Sequence, residues 1–265
     1  MDDFFYGLSS WTITLSLLAL MLLAMEAGSR VGRRSQGTSN AESRSQISTV
    51  LTSLLGILAL LLGFTFSIAL DRYNGRSLAV VNEANAIGTA FLRTDLLPEP
   101  ARSDTRRAFA DYTGVRVRMS VLTWNQKEER IALLARVLEL QDELWRRAAE
   151  VSQQAPDAAT TGLYVQSLND MIDAYSSNLA ELLRHVPHLV MLLLFAAFIV
   201  SGGMIGYSAG LAGNRPARAT YLMVCVIVLL MYMVMDLDRP HRGIIQVSSQ
   251  SLVDLQKSID DSVSR

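Results

Sequence analysis

The chain has 265 residues, half of them hydrophobic, with 18% charged residues, a net charge of −1 and a mean hydropathy of +0.26. An ordinary soluble domain carries about 25% charged residues, and here the shortfall is concentrated: residues 4–25, 45–70, 189–214 and 219–235 hold no Asp, Glu, Lys, Arg or His. That pattern excludes a soluble enzyme, the single cysteine Cys225 excludes a disulfide scaffold, and the near-zero charge offers nucleic acid no basic field.

A crossing of the hydrocarbon core takes roughly 20 apolar residues, so the four windows predict four transmembrane helices. The first, over about 4–25, opens with Phe4, Phe5, Tyr6 and Trp11, aromatics suited to a membrane interface. Asp2 and Asp3 stand where a signal peptide would carry basic residues, so this window reads as a span. The second covers about 47–70. On a helical wheel Thr49, Ser53, Gly56, Leu60, Phe64, Ser67 and Asp71 share one face, small and polar at both ends with Leu60 and Phe64 between. Such a face suits a pore, because polar positions hydrate an ion while an apolar constriction gates by dewetting. The same small residues also suit close helix packing, which periodicity by itself favours.

Asp71, Arg72 and Arg76 follow this span, and Asn82, Glu83 and Asn85 form a polar knot further along. The helix is predicted to continue to Leu97, where Pro98-Glu99-Pro100 breaks it. Residues 71–185 read as all-helical. One apolar stripe runs Phe109, Tyr112, Met119, Leu122, interrupted by Gly114. A second runs Leu133, Val137, Leu140, Leu144, Ala148, Val151, and a third Tyr164, Leu168, Met171, Tyr175, Leu179, Leu182. The stretch from Gln153 to Thr161, with Pro156, separates the last two.

The third span covers about 187–210 and starts at Pro187, a residue at home in the first turn of a helix. Gly202, Gly206 and Gly210 recur at four-residue intervals, a seam for close helix–helix contact. The fourth span, about 219–235, is followed by Asp236, Asp238, Arg239, His241 and Arg242. Charges at this depth are costly unless paired, so Asp71, Arg72, Arg76, Glu83, Asp236, Asp238 and Arg239 read as salt-bridged helix ends or as the charged mouth of an ion path. His185 and His188 lie close in sequence but lack a third ligand, and no metal, cofactor or catalytic constellation is expected.

Arg30, Arg33, Arg34 and Arg44 gather in the loop at 28–44, and Arg215 and Arg218 in the loop at 209–219. By the positive-inside rule both loops face the cytoplasm, which puts both termini and residues 71–185 on the outer side of a bacterial inner membrane. The expected organisation is a first hairpin at 1–70, an extramembrane helical domain at 71–185, a second hairpin at 186–236 and a tail at 237–265. The fold class is all-α and polytopic.

The stretches LLGFTFSIALDRYNGRSLAVVNEANAIGTAFLR (61–93) and DLDRPHRGIIQVS (236–248) resemble the bacterial bestrophin-like family of four-span membrane proteins, over nearly the full chain. Gly63-Phe64 followed by Asp71-Arg72 is also similar, more distantly, to the bestrophins proper. That resemblance implies a pentameric ion channel whose second span lines a hydrophobic neck, falling here on Gly56, Leu60 and Phe64. Gly56 replaces a bulky neck residue, which implies a shorter constriction, and the aromatic pair expected after Arg72 is Tyr73-Asn74. Bestrophins keep their helical middle and termini in the cytoplasm, opposite to the orientation that the arginine loops of this chain predict.

The expected function is an oligomeric ion channel or channel-like pore rather than an enzyme. Its gate falls on Ser53, Gly56, Leu60, Phe64 and Ser67, and its partners are lipid, inorganic ions and further copies of itself. The rival expectation is a non-conducting membrane scaffold or sensor whose helical domain binds a partner or ligand.

Overall fold

The computed structural model describes residues 9–37, 40–123, 126–154, 158–214, 216–239 and 243–264. Asp2, Asp3, Phe4, Phe5, Tyr6, Pro156, Arg215, His241 and Arg242, which entered the sequence reading, lie outside the described residues. Those described residues form eight α-helices: α1 (Ser10–Arg34), α2 (Ala41–Arg93), α3 (Ala101–Val121), α4 (Lys127–Gln154), α5 (Ala158–Leu183), α6 (His188–Leu211), α7 (Arg218–Leu237) and α8 (Gln250–Val263). A short 3-10 turn, Thr94–Leu96, follows α2. Four stretches are long and apolar enough to cross a membrane, and they include α1, the first part of α2, α6 and α7. The protein is an all-α polytopic membrane protein.

The chain divides into two compact units. The membrane unit holds residues 1–72 and 185–245. Within it α1 packs along α6 and also against α7. Glycine makes the first contact possible. A Cβ at Gly206 would overlap the main chain of Met25, one at Gly210 the main-chain oxygen of Ser29, and one at Gly202 the Met21 side chain. α1 contributes small residues of its own, since Gly28 and Gly32 lie against the backbone of Gly203 and Tyr207. Lipid tails are as apolar as Leu, so helices in a bilayer gain by close van der Waals contact, and small residues permit it.

The second unit holds residues 73–184 and 246–265. α3 packs against α4 and α8, and α4 against α5. Its core follows the helical stripes: Phe109 and Tyr112 from α3, Val137, Leu140 and Leu144 from α4, and Tyr164, Leu168 and Met171 from α5 are buried together. Residues 246–265 group with this unit. Leu252 and Ile259 lie seven residues apart on one face of α8, and both are buried in the same core.

α2 runs through 53 residues. At 1.5 Å per residue that is about 80 Å, far more than a bilayer core of about 30 Å can hold.

Candidate functional site

The burial pattern of α2 has a single polarity along the helix. In the membrane unit Leu58, Leu62, Thr65 and Ala69 are buried, one turn after another. Thr49, Ser53, Gly56, Leu60, Phe64, Ser67 and Asp71 are all exposed, with Leu60 at 58% and Phe64 at 60%. The same spacing continues through Asn74, Leu78, Asn82, Asn85, Thr89 and Leu92, again all exposed. At 3.6 residues per turn these thirteen positions fall within about 80° of arc, opposite the buried face. Gly56 and Gly63 have nothing within 4 Å of a Cβ position, so among the described residues no helix packs on this face there.

The exposed faces of α6 and α7 are different in kind. They present Leu189, Leu192, Leu193 and Val200, and Leu222, Val226, Leu229 and Leu230. Such faces suit lipid tails. The stripe on α2 alternates instead: Thr49 and Ser53, then Leu60 and Phe64, then Ser67, Asp71 and Asn74. Thr49 turns its hydroxyl proton back to the Ser45 carbonyl at 3.0 Å, and its oxygen lone pairs stay available. Asp71 has no such local route, and an exposed carboxylate at a span end belongs in water.

The charges expected at a mouth divide into two groups. Asp71 lies on the exposed stripe, and Arg72 beside it is half-buried. The others are interior. Asp236 accepts hydrogen bonds from the Ile244 and Ile245 N–H groups at 3.1 and 2.9 Å, and Gly243 leaves room for its carboxylate. Asp238 accepts from the Val186 N–H at 2.8 Å, tying the end of α7 to the start of α6, and the buried Arg239 reaches the Ser10 hydroxyl at 3.5 Å. The two aspartates thus pair with backbone N–H groups by charge-assisted hydrogen bonds, and Arg239 with a side-chain hydroxyl.

Arg76 and Glu83 are likewise buried, as the paired reading of these charges expects. Arg76 donates to the carbonyl oxygens of Glu181 and Arg184, at 3.3 and 2.5 Å, at the C-terminal end of α5. A cation suits that end, where the helix dipole leaves negative partial charge on the last carbonyls. Glu83 is fully buried. Arg116 of α3 forks across its carboxylate, Nε to Oε1 and Nη2 to Oε2 (2.7 Å), and Asn178 of α5 donates to the same Oε2. The guanidinium also lies over the Tyr175 ring, 4.8 Å from its centroid. Burial works against the charge on Arg116, but the Glu83 hydrogen bonds and carboxylate outweigh it and hold its pKa above the ordinary arginine value.

Arg116 and Asn178 were missed by the sequence reading. A signal existed: Arg76 and Glu83 are seven residues apart and lie opposite the polar stripe, where charge needs a buried partner. No group of three or more His, Cys, Asp or Glu side chains that could hold a metal occurs among the described residues.

The fold and the stripe together define a four-span helical membrane protein with one mixed polar and apolar face left open on its longest helix. Residues 18–252 match the bestrophin-like domain, and the chain belongs to the bestrophin-like family. Its fold is that of a bacterial bestrophin homologue from Klebsiella pneumoniae. A tryptophan-to-alanine variant of that protein matches with a TM-score of 0.65 at 15% identity, covering 95% of this chain and 98% of that one. An isoleucine-to-threonine variant matches with a TM-score of 0.65 at 14% identity, over 94% and 100%. The form solved by zinc phasing gives 0.63 at 14% identity, over 95% and 98%. No curated protein matches the chain by sequence.

Proposed function

We propose that the protein assembles as a homo-oligomer in the bacterial inner membrane and conducts ions along a path lined by α2. The observation that carries this reading is the contrast between α2 and the spans α6 and α7. Its open face pairs Leu60 and Phe64 with polar neighbours on both sides, whereas the open faces of α6 and α7 are dominated by Leu and Val between their ends. A single chain encloses no path with one helix face, so several copies would present α2 to a shared axis. Leu60 and Phe64 then form the gate, Gly56 shortens it, and Ser53 and Ser67 flank it. Asp71 sets the charge at one end. Membership of the bestrophin-like family and the Klebsiella fold support the same arrangement. The arginines of the 28–44 loop support an orientation with residues 71–185 outside.

Particle imaging of the detergent-purified protein tests the arrangement. A ring with Leu60 and Phe64 facing an open axis is expected. A monomer, or an axis filled with side chains, contradicts it. The scaffold reading draws on a different surface: Ile131, Leu138 and Trp145 repeat every seven residues on α4, and all three are exposed. A non-conducting assembly would favour that reading.

A further inference from the structure

The stripe on α2 requires something to hold it outward, and the face behind it is smooth as far as Ala90. In the extramembrane unit that buried face holds Ala79, Val80, Ala84, Ile87 and Ala90, and the large side chain of Phe91, packed on Phe109, follows only at its far end. Small side chains raise only shallow ridges, so they resist rotation of a helix about its own axis weakly. Two charged residues interrupt the face two turns apart. Arg76, 1% exposed, bonds the last carbonyls of α5, and Glu83, 0% exposed, receives Asn178 from the same helix and Arg116 from α3.

We propose that Arg76 and Glu83 are positioning residues. Their bonds, one heptad apart, fix the rotation and axial register of α2 against α5, and so keep Asn74, Leu78, Asn82 and Asn85 on the outer face. The consequence for conduction rests on reading α2 as the lining of the path. A slip of one residue turns the helix by about 100°. It would carry Asn82 toward the core and strip two buried charges of their partners at once, the kind of penalty by which buried polar groups set register.

The test uses the full chain with Cys225→Ala as background, into which Asn82→Cys or Ala84→Cys is introduced. Each variant is labelled with a charged, water-soluble maleimide. With the lock intact, position 82 is expected to react at least about tenfold faster than the buried position 84, which reacts only through local opening. Adding Glu83→Leu together with Arg116→Leu removes one of the two anchors of the lock without leaving a lone charge, and the ratio is expected to fall below about threefold. An unchanged ratio overturns the proposal. If the double substitution does not give a folded protein, Arg76→Gln carries the comparison, with Asn74→Cys against Ala79→Cys, and an unchanged ratio there overturns it equally. Labelling reads direction without current, so a protein silent in bilayers would defeat the conduction reading and leave this one standing. In a conducting protein, Glu83→Leu with Arg116→Leu is also expected to shift the reversal potential under a salt gradient, which a simple loss of stability does not move.

Discussion

Gly206 of α6 lies against the main chain of Met25 on α1 so closely that a Cβ there would overlap the Met25 carbonyl. Backbone cannot swing aside as a flexible side chain can, so the helices must separate to admit a methyl group. Gly206→Ala is expected to destabilise the membrane unit by about 2 kcal/mol or more, in line with overpacked contacts elsewhere. Gly56→Ala meets open space and is expected to be neutral or stabilising by about 0.5 kcal/mol, because Ala is the better helix former. Denaturant titration of both variants in detergent checks the pair.

In the second unit the Glu83–Arg116 pair predicts an asymmetry. Arg116→Leu alone leaves a buried carboxylate with Asn178 as its remaining partner and is expected to cost about 3–5 kcal/mol. Replacing both members by Leu is expected to recover most of that loss, since an apolar pair avoids desolvating two charges. Thermal unfolding of the single and double variants distinguishes the two.

Tyr112, Tyr164 and Tyr175 supply a pH dependence. Burial pushes all three phenols above their ordinary value, and at Tyr112 the Glu83 carboxylate pushes the same way. An unfolded phenol ionises near pH 10, about where the folded ones still hold their protons. Above that pH the unfolded state binds fewer protons than the folded one, so stability is expected to be flat below about pH 10 and to fall as pH rises beyond it. The Tyr164 hydroxyl is buried without a hydrogen-bond partner among the described residues. Tyr164→Phe is therefore expected to be neutral or about 1 kcal/mol stabilising, and to reduce the alkaline loss. Stability curves at several pH values measure both effects.

Much of this was legible in the sequence, for identifiable reasons. Charge-free windows marked the spans because a bilayer tolerates little else, and the 3.6-residue period placed Leu133 to Val151 and Tyr164 to Tyr175 on buried faces. The same period grouped the positions from Thr49 to Asp71 on one face of α2, but it favoured packing there, and their exposure came from the structure. What stayed hidden were partners distant in sequence. Glu83 meets Arg116 and Asn178, 33 and 95 positions away. Asp236 and Asp238 bind backbone N–H groups, which carry no side-chain signature at all. A helical wheel ranks faces, but it does not say what lies across from a charge.

The orientation proposed from the arginine-rich connections has its own test. With Cys225→Ala as background, Gly37→Cys reports on the 28–44 loop and Glu128→Cys on the extramembrane unit. An impermeant thiol reagent applied to spheroplasts is expected to label the Glu128→Cys variant directly and the Gly37→Cys variant only after lysis. The reverse pattern would invert the topology and leave the path intact.

Conduction through a gate at Phe64 is the central claim, and planar-bilayer recording tests it most directly. The apolar ring formed by Leu60 and Phe64 would hold a dry constriction, and Phe64→Ala would widen and hydrate it. In symmetric salt the wild-type protein is expected to pass current and Phe64→Ala to pass several-fold more, on the order of threefold. Silence from both proteins, or equal conductance from the two, would contradict the account.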